Sequence, residues 1–368
     1  MTSDSPERRN RSAIRLPLWA LAILAALLLI VVTAGAIWLF RTIQDIASAS
    51  AVSSPEFSIA QEAEAPENEP DDVASDGNNA PQVPLVAAED IEPWSGEERI
   101  NFLFMGVDLR CDEEGPTHTD SMIVVTVDPL TMSAALLSLP RDLWVEIPGF
   151  GVDRINQAFY FGQAYEYPGG GQRLAMETVE TLLGIPVDYY LTIDFQGFID
   201  AVDLIGGIVV NVQDPIDDPD YPDNCYGYEP FAIADGVQRI DGQTALKYAR
   251  TRATFGGDVD RAERQQEVLL AVRDQVLRVD QFPKLLVQAP ELWQTFQDNL
   301  NTNLSFDDAM ELALLFQNIP PENIQTAILD YDYVYNETTP DGRQVLVPLR
   351  NEIRSLRDEL FTVPAVPT

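Results

Sequence analysis

The chain has 368 residues, with 23 Lys and Arg against 59 Asp and Glu, a formal net charge of −36, and 46% hydrophobic residues. That balance excludes binding nucleic acid or anionic headgroups through the whole surface. No C2H2, helix-turn-helix or RRM signature appears, so no nucleic acid partner is expected, and the apolar fraction is ample for a sizeable core.

Residues 1–15 carry Arg8, Arg9, Arg11 and Arg15, and the run from Leu16 to Phe40 holds no charged residue. At about 1.5 Å per residue that run spans a hydrocarbon core about 30 Å thick. Trp19 and Trp38 sit near its ends, where aromatic belts form. The positive-inside rule then predicts a cytoplasmic N-terminus at 1–15, one transmembrane helix at 16–40, and a cell-membrane protein whose remainder is extracellular. A cleaved signal peptide is the rival reading, with Ala34-Gly-Ala36 as its small-residue pair, but the apolar run is longer than an h-region. Residues 41–97 are acidic and poor in apolar periodicity, which predicts a disordered linker. A folded extracytoplasmic domain is expected over 98–335, and a C-terminal tail over 336–368.

Within that domain, apolar runs predict strands at 100–108, 121–128, 133–140 and 143–148, the first three buried on both faces. Arg154-Ile-Asn156 reads as the opening of a helix to Ala164, followed by a helix at 172–183 and a strand at 187–193. A helix from Phe195 to Ile205 stops at Gly206-Gly207, before a strand at 208–212. Residues 214–234, rich in Pro, Asp and Tyr, read as a long functional loop. Helices follow at 244–250, from the capping-box pattern Asp260-Arg-Ala-Glu263 to Leu277, at 285–300, and at 307–317 with Ser305 as cap. A strand at 324–329 completes the sheet. Strands alternating with helices predict an α/β fold, a central mixed sheet with helices on both faces, preceded by the transmembrane helix.

Five cations crowd into Lys247-Tyr-Ala-Arg250-Thr-Arg252 and Arg261-Ala-Glu-Arg264, in a chain that uses few elsewhere. Arg is suited to bidentate recognition of phosphate; the plainer reading is a solvated helix face neutralising its own carboxylates. Asp108 ends a strand and Asp120 precedes one, where ligands bind in open α/β sheets. Two carboxylates suit a hard cation such as Mg²⁺, although strand-capping Asp residues look the same. Arg141-Asp142 follows a strand at a proline corner. His118 is the sole histidine, and no G-x-S-x-G elbow or P-loop accompanies it. Cys111 and Cys225 both lie in the part predicted to be outside, where a disulfide between their loops is permitted.

In order along the chain, several segments resemble one family. They are Gly106-Val-Asp108-Leu-Arg110, Thr119-Asp120-Ser-Met, Ser138-Leu-Pro140-Arg141-Asp142, Arg154-Ile-Asn156-Gln-Ala158 and Leu204-Ile-Gly-Gly207. Asp241-Gly-Gln-Thr-Ala-Leu246-Lys-Tyr-Ala-Arg250-Thr-Arg252 and Asp258-Val-Asp260-Arg261-Ala-Glu-Arg264-Gln265-Gln266 complete the set. The pattern, over about residues 100–276, is similar to LytR-CpsA-Psr proteins. That resemblance implies an enzyme joining a glycopolymer from a polyprenyl-pyrophosphate carrier to peptidoglycan through a phosphodiester, with the lipid in an apolar tunnel between sheet and helices. It implies Mg²⁺ at Asp108 and Asp120, and pyrophosphate contacts from Arg141, Arg250, Arg252, Arg261 and Gln265. Arg154 stands where the family often has Lys, and Arg264 falls in the same motif as a substrate contact. Where the family usually has Arg before Thr-Asp, this chain has His118, so either His118 meets phosphate weakly or Arg110 substitutes. Asp258 is the carboxylate expected to orient or deprotonate the acceptor hydroxyl. A carrier-pyrophosphate hydrolase and a non-catalytic carrier-binding module are the competing readings.

Overall fold

In the computed structural model, residues 94–108, 115–223, 225, 227–278, 289, 293 and 300–361 are described. The chain divides into Met1–Asn78 and Asn79–Thr368, and every described residue belongs to the second unit. The expected transmembrane helix at 16–40, most of the linker, Arg110, Cys111 and nearly all of the expected helix at 285–300 lie outside the described residues. Among the described residues no helix is long and apolar enough to cross a membrane.

The centre is a six-stranded sheet in the order β11-β6-β1-β2-β3-β12. Its strands are β1 (Ile100–Val107), β2 (Thr119–Asp128), β3 (Ser133–Ser138), β6 (Tyr189–Asp194), β11 (Leu300–Thr302) and β12 (Ile324–Ile328). β1 pairs antiparallel with β2 and parallel with β6, while β3 pairs antiparallel with β2 and parallel with β12. The sheet is therefore mixed, as expected. This topology decides the site: the carboxyl ends of β1, β6, β3 and β12 and the amino end of β2 share one edge of the sheet.

Successive side chains leave opposite faces of a strand. Leu103, Met105 and Val107 pack on one side with Phe159 and Leu174, from helices α1 (Gln157–Ala164) and α2 (Gly170–Leu183). Ile100 and Phe102 pack on the other with Leu312 and Leu315 of α6 (Phe306–Gln317). Ser305 caps α6 by accepting from the Asp308 amide, as its sequence pattern predicts. Burying each such side chain contributes about 1.5–3 kcal/mol, which makes this two-sided burial the main source of stability.

A second core joins three more helices to a strand pair. α3 (Phe195–Leu204), α4 (Gly242–Arg250) and α5 (Asp258–Val276) pack with β7 (Ile208–Val212) and β10 (Gly236–Ile240). Gly206 and Gly207 end α3 at φ 79° and 78°, a region that disfavours side chains. A Cβ on Gly242 would meet the Ile199 carbonyl oxygen at 2.3 Å, so only glycine lets α4 lie this close to α3.

Several expectations are corrected. Arg154 does not open a helix; it ends β5 (Gly151–Arg154), which pairs with β4 (Trp144–Ile147) apart from the main sheet. β7 likewise pairs with β10 and not with the central strands. The loop at 214–234 contains a ribbon of β8 (Ile216–Asp218) and β9 (Phe231–Ile233). α5 begins at Asp258, two residues before the capping-box pattern, and the Asp260 carboxylate accepts from the Gly256 amide. The segment read as a tail from 336 continues the fold. β13 (Val334–Thr338) and β14 (Gln344–Pro348) form a hairpin, and α7 (Arg350–Phe361) buries Ile353, Leu356 and Leu360 in the main core. Trp94 also packs on the core, so folded chain starts before 98.

Candidate active site

A cavity of about 740 Å³ opens between the sheet and the α3–α4–α5 group. Its depth is apolar: Phe104 and Leu191 from the sheet face Phe198, Leu246, Val268 and Leu269 from the helices. Its mouth is polar and lies at the shared edge of the sheet, where Asp108, Asp120, Arg141, Arg250, Arg252 and Arg261 converge. Apolar strands ending in carboxylates generate both halves, because the apolar residues lie along β1 and β6 and the charges begin where the strands stop.

Each guanidinium at the mouth is held by a carboxylate. Arg250, at the end of α4, lies 3.3 Å from Asp108 Oδ2, donates to the Tyr221 hydroxyl at 3.2 Å, and stacks 3.9 Å above the Phe195 ring. Arg141 Nη1 lies 2.6 Å from Asp120 Oδ1. Burial alone would lower the pKa of Arg141, but the charge and hydrogen bond of Asp120 outweigh it, and the net shift is upward. Asp258, on the first turn of α5, binds two guanidiniums at once, Arg252 Nε at 2.9 Å and Arg261 Nη2 at 3.2 Å.

Arg261 differs from the others. It is only 8% exposed, and its Nε is buried with no hydrogen-bond acceptor among the described residues. Burial first, and then the neighbouring charge of Arg252, push its pKa down to about 10, against the opposing pull of Asp258. A buried, under-satisfied cation among other cations is stabilised by an incoming anion. Gln265, one helical turn on, donates to the Ala249 carbonyl and lines the same mouth.

Three expected substrate contacts are placed elsewhere. Arg264 is 6% exposed and does not line the cavity. Its Nε donates to the Tyr248 carbonyl at 2.9 Å, and Nη2 donates to the Thr251 carbonyl. It satisfies carbonyls at and just beyond the C-terminal end of α4, and burial lowers its pKa. Arg154 pairs with Asp142 at 3.3 Å and donates to the Gln344 carbonyl at 2.7 Å, which ties β5 to β14. His118 stacks on Tyr160 at 4.7 Å, against α1 and away from the cavity lining. Arg110 and Cys111 fall outside the described residues; Cys225 is disulfide-bonded.

Sequence reasoning missed Tyr221, Phe195 and Asp218. Asp218 is buried and accepts from the Thr251 hydroxyl at 2.5 Å, which fixes the turn between Arg250 and Arg252. The one available signal was the Pro- and Asp-rich loop at 214–234, which holds both Asp218 and Tyr221.

The LytR_cpsA_psr family model matches residues 59–362. The chain belongs to the LytR-CpsA-Psr family. It is 31% identical over 225 residues to the polyisoprenyl-teichoic acid–peptidoglycan teichoic acid transferase TagU of Bacillus licheniformis, covering 61% of this chain and 66% of that protein. The transferase of the same name, TagT, from Bacillus subtilis is 30% identical over 267 residues, covering 70% of this chain and 78% of the relative. Among solved structures, Bacillus subtilis TagV superposes with a TM-score of 0.59 at 27% identity, covering 72% of this chain and 96% of that one. A structure of TagT bound to LIIa-WTA gives 0.56 at 26% identity, covering 72% and 90%. The matched region spans about two thirds of the curated TagU relatives.

Proposed function

We propose that this chain is a phosphotransferase that moves a glycopolymer from a polyprenyl-pyrophosphate carrier onto peptidoglycan, forming a phosphodiester. The observation that carries the reading is a single cavity with two characters, an apolar depth and a mouth of four guanidiniums. An amphiphile with a long apolar tail and a doubly phosphorylated head matches both. The named activities of the TagU and TagT relatives support the same reading.

Phosphoryl transfer depends mostly on positioning and on stabilising charge. Arg250, stacked on Phe195 and tied to Tyr221, is pre-set to clamp a phosphate oxygen without first losing side-chain entropy. Arg141, Arg252 and Arg261 neutralise the remaining oxygens. The acceptor hydroxyl attacks the phosphorus on the glycan side, and the bond from that phosphorus to the bridging oxygen breaks. The carrier leaves as its monophosphate. Asp258 fixes Arg252 and Arg261 relative to each other through Oδ1 and takes the proton of the incoming hydroxyl as the new bond forms, passing it on to solvent.

Asp108 and Asp120 fit Mg²⁺ in donor chemistry, since both are carboxylates at the mouth. Among the described residues no group of three or more His, Cys, Asp or Glu can hold a metal. Mg²⁺ typically takes one or two carboxylates and completes its shell with water and substrate phosphates, so a two-carboxylate site suits it. Asp108 and Asp120 would hold such an ion, which would supply neutralisation of charge on the transferring group. The uncharged run at 16–40, preceded by four arginines, supports a cell-membrane location with the site on the outer side, where carrier and acceptor are found.

The test uses the full-length chain, Mg²⁺, peptidoglycan, and a polyprenyl-pyrophosphate glycan labelled at the glycan-side phosphorus. The expected result is label in peptidoglycan as a phosphodiester, with unlabelled polyprenyl monophosphate released. Label recovered only as free glycan phosphate would make the chain a hydrolase, and intact donor would make it a binding module; either overturns the transferase reading.

A further inference from the structure

A second cavity, of about 270 Å³, lies beyond two of those guanidiniums, Arg141 and Arg261. Five residues, Asp120, Ser121, Arg141, Arg261 and Gln265, line both cavities and form the wall between them. The first cavity runs from this wall under the helices. The second runs from it toward β12 and the β13–β14 hairpin, the part of the chain in which the sequence shows no motif. Asp258 lines only the second cavity, yet it bonds Arg252 and Arg261 of the first.

The second cavity differs in chemistry from the first. In the β13–β14 register Asn336 faces Leu346 and Thr338 faces Gln344, so Asn336 and Gln344 occupy one face of the hairpin. Both line the cavity, and each amide offers donors and acceptors to hydroxyl groups. Tyr331 lines it as well and is 65% exposed, an aromatic surface with nothing packed over most of it. Asp142 and Asp330 add acceptors, and the buried Leu329 and Val334 form an apolar base. The volume is just under the roughly 300 Å³ at which drug-sized sites begin. An aromatic platform, two amides and carboxylate acceptors in so small a space are the recognition chemistry of one neutral sugar ring. A lipid or a second pyrophosphate is a poor match.

From this geometry we infer that the second cavity is the acceptor subsite. It holds one sugar ring of the acceptor glycan on Tyr331, between Asn336 and Gln344, with a ring hydroxyl directed at the Arg141–Arg261 wall. The inference rests on the transferase reading and adds to it the side from which the acceptor arrives. Donor and acceptor then approach one phosphorus from opposite faces of the wall. That arrangement meets the requirement that attacking and leaving oxygens lie roughly in line. Gln344 holds Arg154 through its backbone carbonyl, so replacing its side chain leaves that contact intact.

The test measures donor and acceptor separately on the full-length chain carrying Tyr331→Ala, Asn336→Ala or Gln344→Ala, with Tyr331→Trp as the conservative partner. Uncrosslinked peptidoglycan glycan strands serve as the acceptor probe. Loss of Tyr331 is expected to raise the acceptor KM about tenfold, the upper end of what one aromatic contact supplies, with donor KM unchanged and Tyr331→Trp close to wild type. Direct binding of the strands should weaken in parallel. An unchanged acceptor KM in all three alanine variants, or an equal rise in donor KM, overturns the subsite. If the wild type transfers nothing but still binds strands through Tyr331, the transferase reading fails, and the acceptor role falls with it although the sugar-binding site itself is upheld.

Discussion

Replacing Arg264 by Ala separates two roles that the sequence pattern confounds. As a substrate contact, its loss would weaken donor binding in a stable protein. The structure gives it another task, because its Nε and Nη2 satisfy the carbonyls of Tyr248 and Thr251 in a setting where Arg264 is 6% exposed. Hydrogen bonds from a charged donor contribute about 1.5–3 kcal/mol each, and deletion leaves two carbonyls without their donor. Against this, the variant no longer buries a guanidinium, a cost visible in the lowered pKa of Arg264. The net loss expected is about 2–4 kcal/mol, less than the sum of the two bonds. The folded part runs from residue 94 to 361, slightly beyond the size range of about 150–250 residues for which this corresponds to a fall in Tm of about 4–16 °C, so the fall expected is toward the lower end. Arg264→Lys should recover little, since an ammonium cannot span both carbonyls with the geometry of the planar fork. Thermal melts and urea titration read the stability, and binding of a polyprenyl-pyrophosphate probe at a temperature where each variant is folded reads the site. An Arg264→Ala protein with wild-type Tm and lost donor binding would refute the reasoning.

Replacing Asp108 or Asp120 by Asn should lower kcat by about 10²-fold, the loss of one electrostatic stabiliser, while donor binding persists through the arginines. Turnover with and without a divalent-cation chelator checks this, and full activity in both variants removes the metal from the mechanism. Asp241 caps α4 by accepting from the Thr244 amide, and its pKa is lowered chiefly by its hydrogen bonds to Thr244. A carboxyl whose folded pKa is depressed contributes stability that is fully present above its unfolded value, 3.8, and is lost as pH falls through the folded one. Asp241→Ala should therefore cost about 0.5–2 kcal/mol at pH 7 and progressively less below pH 3.8, read from urea midpoints across pH. Mass spectrometry of a non-reduced digest should recover Cys111 linked to Cys225. Reducing that bridge, which closes a loop on the order of 100 residues, should cost up to about 4–5 kcal/mol; freely alkylatable thiols would exclude the pairing.

Much of the fold was legible because burial leaves a local mark. The uninterrupted apolar runs of β1 to β3 announced strands buried on both faces, and the side chains of Leu103 and Phe102 do enter opposite cores. The hairpin and α7 after residue 336 were missed for the reverse reason. β13 is largely exposed and α7 carries charge on most of its surface, so neither has an apolar run that stands out. The α5 start was misplaced because Asp260 imitates a cap while Gly257, without a side chain, occupies the position.

By itself the sequence determined the alternation of strands and helices and the carboxylates at strand ends. It also set the concentration of arginine in one stretch, since residue type and period are local properties. The tertiary structure decided which of those charges meet. Arg250 and Asp108 are 142 residues apart and pair because α4, packed with α3 and α5 across the cavity from the sheet, ends where β1 ends. Arg261 and Arg264 share one short motif and one helix, yet the first faces the cavity and the second grips the end of α4. A rotation of about 300° separates residues three apart on a helix, and only the packing of α5 against its neighbours determines what lies in each direction.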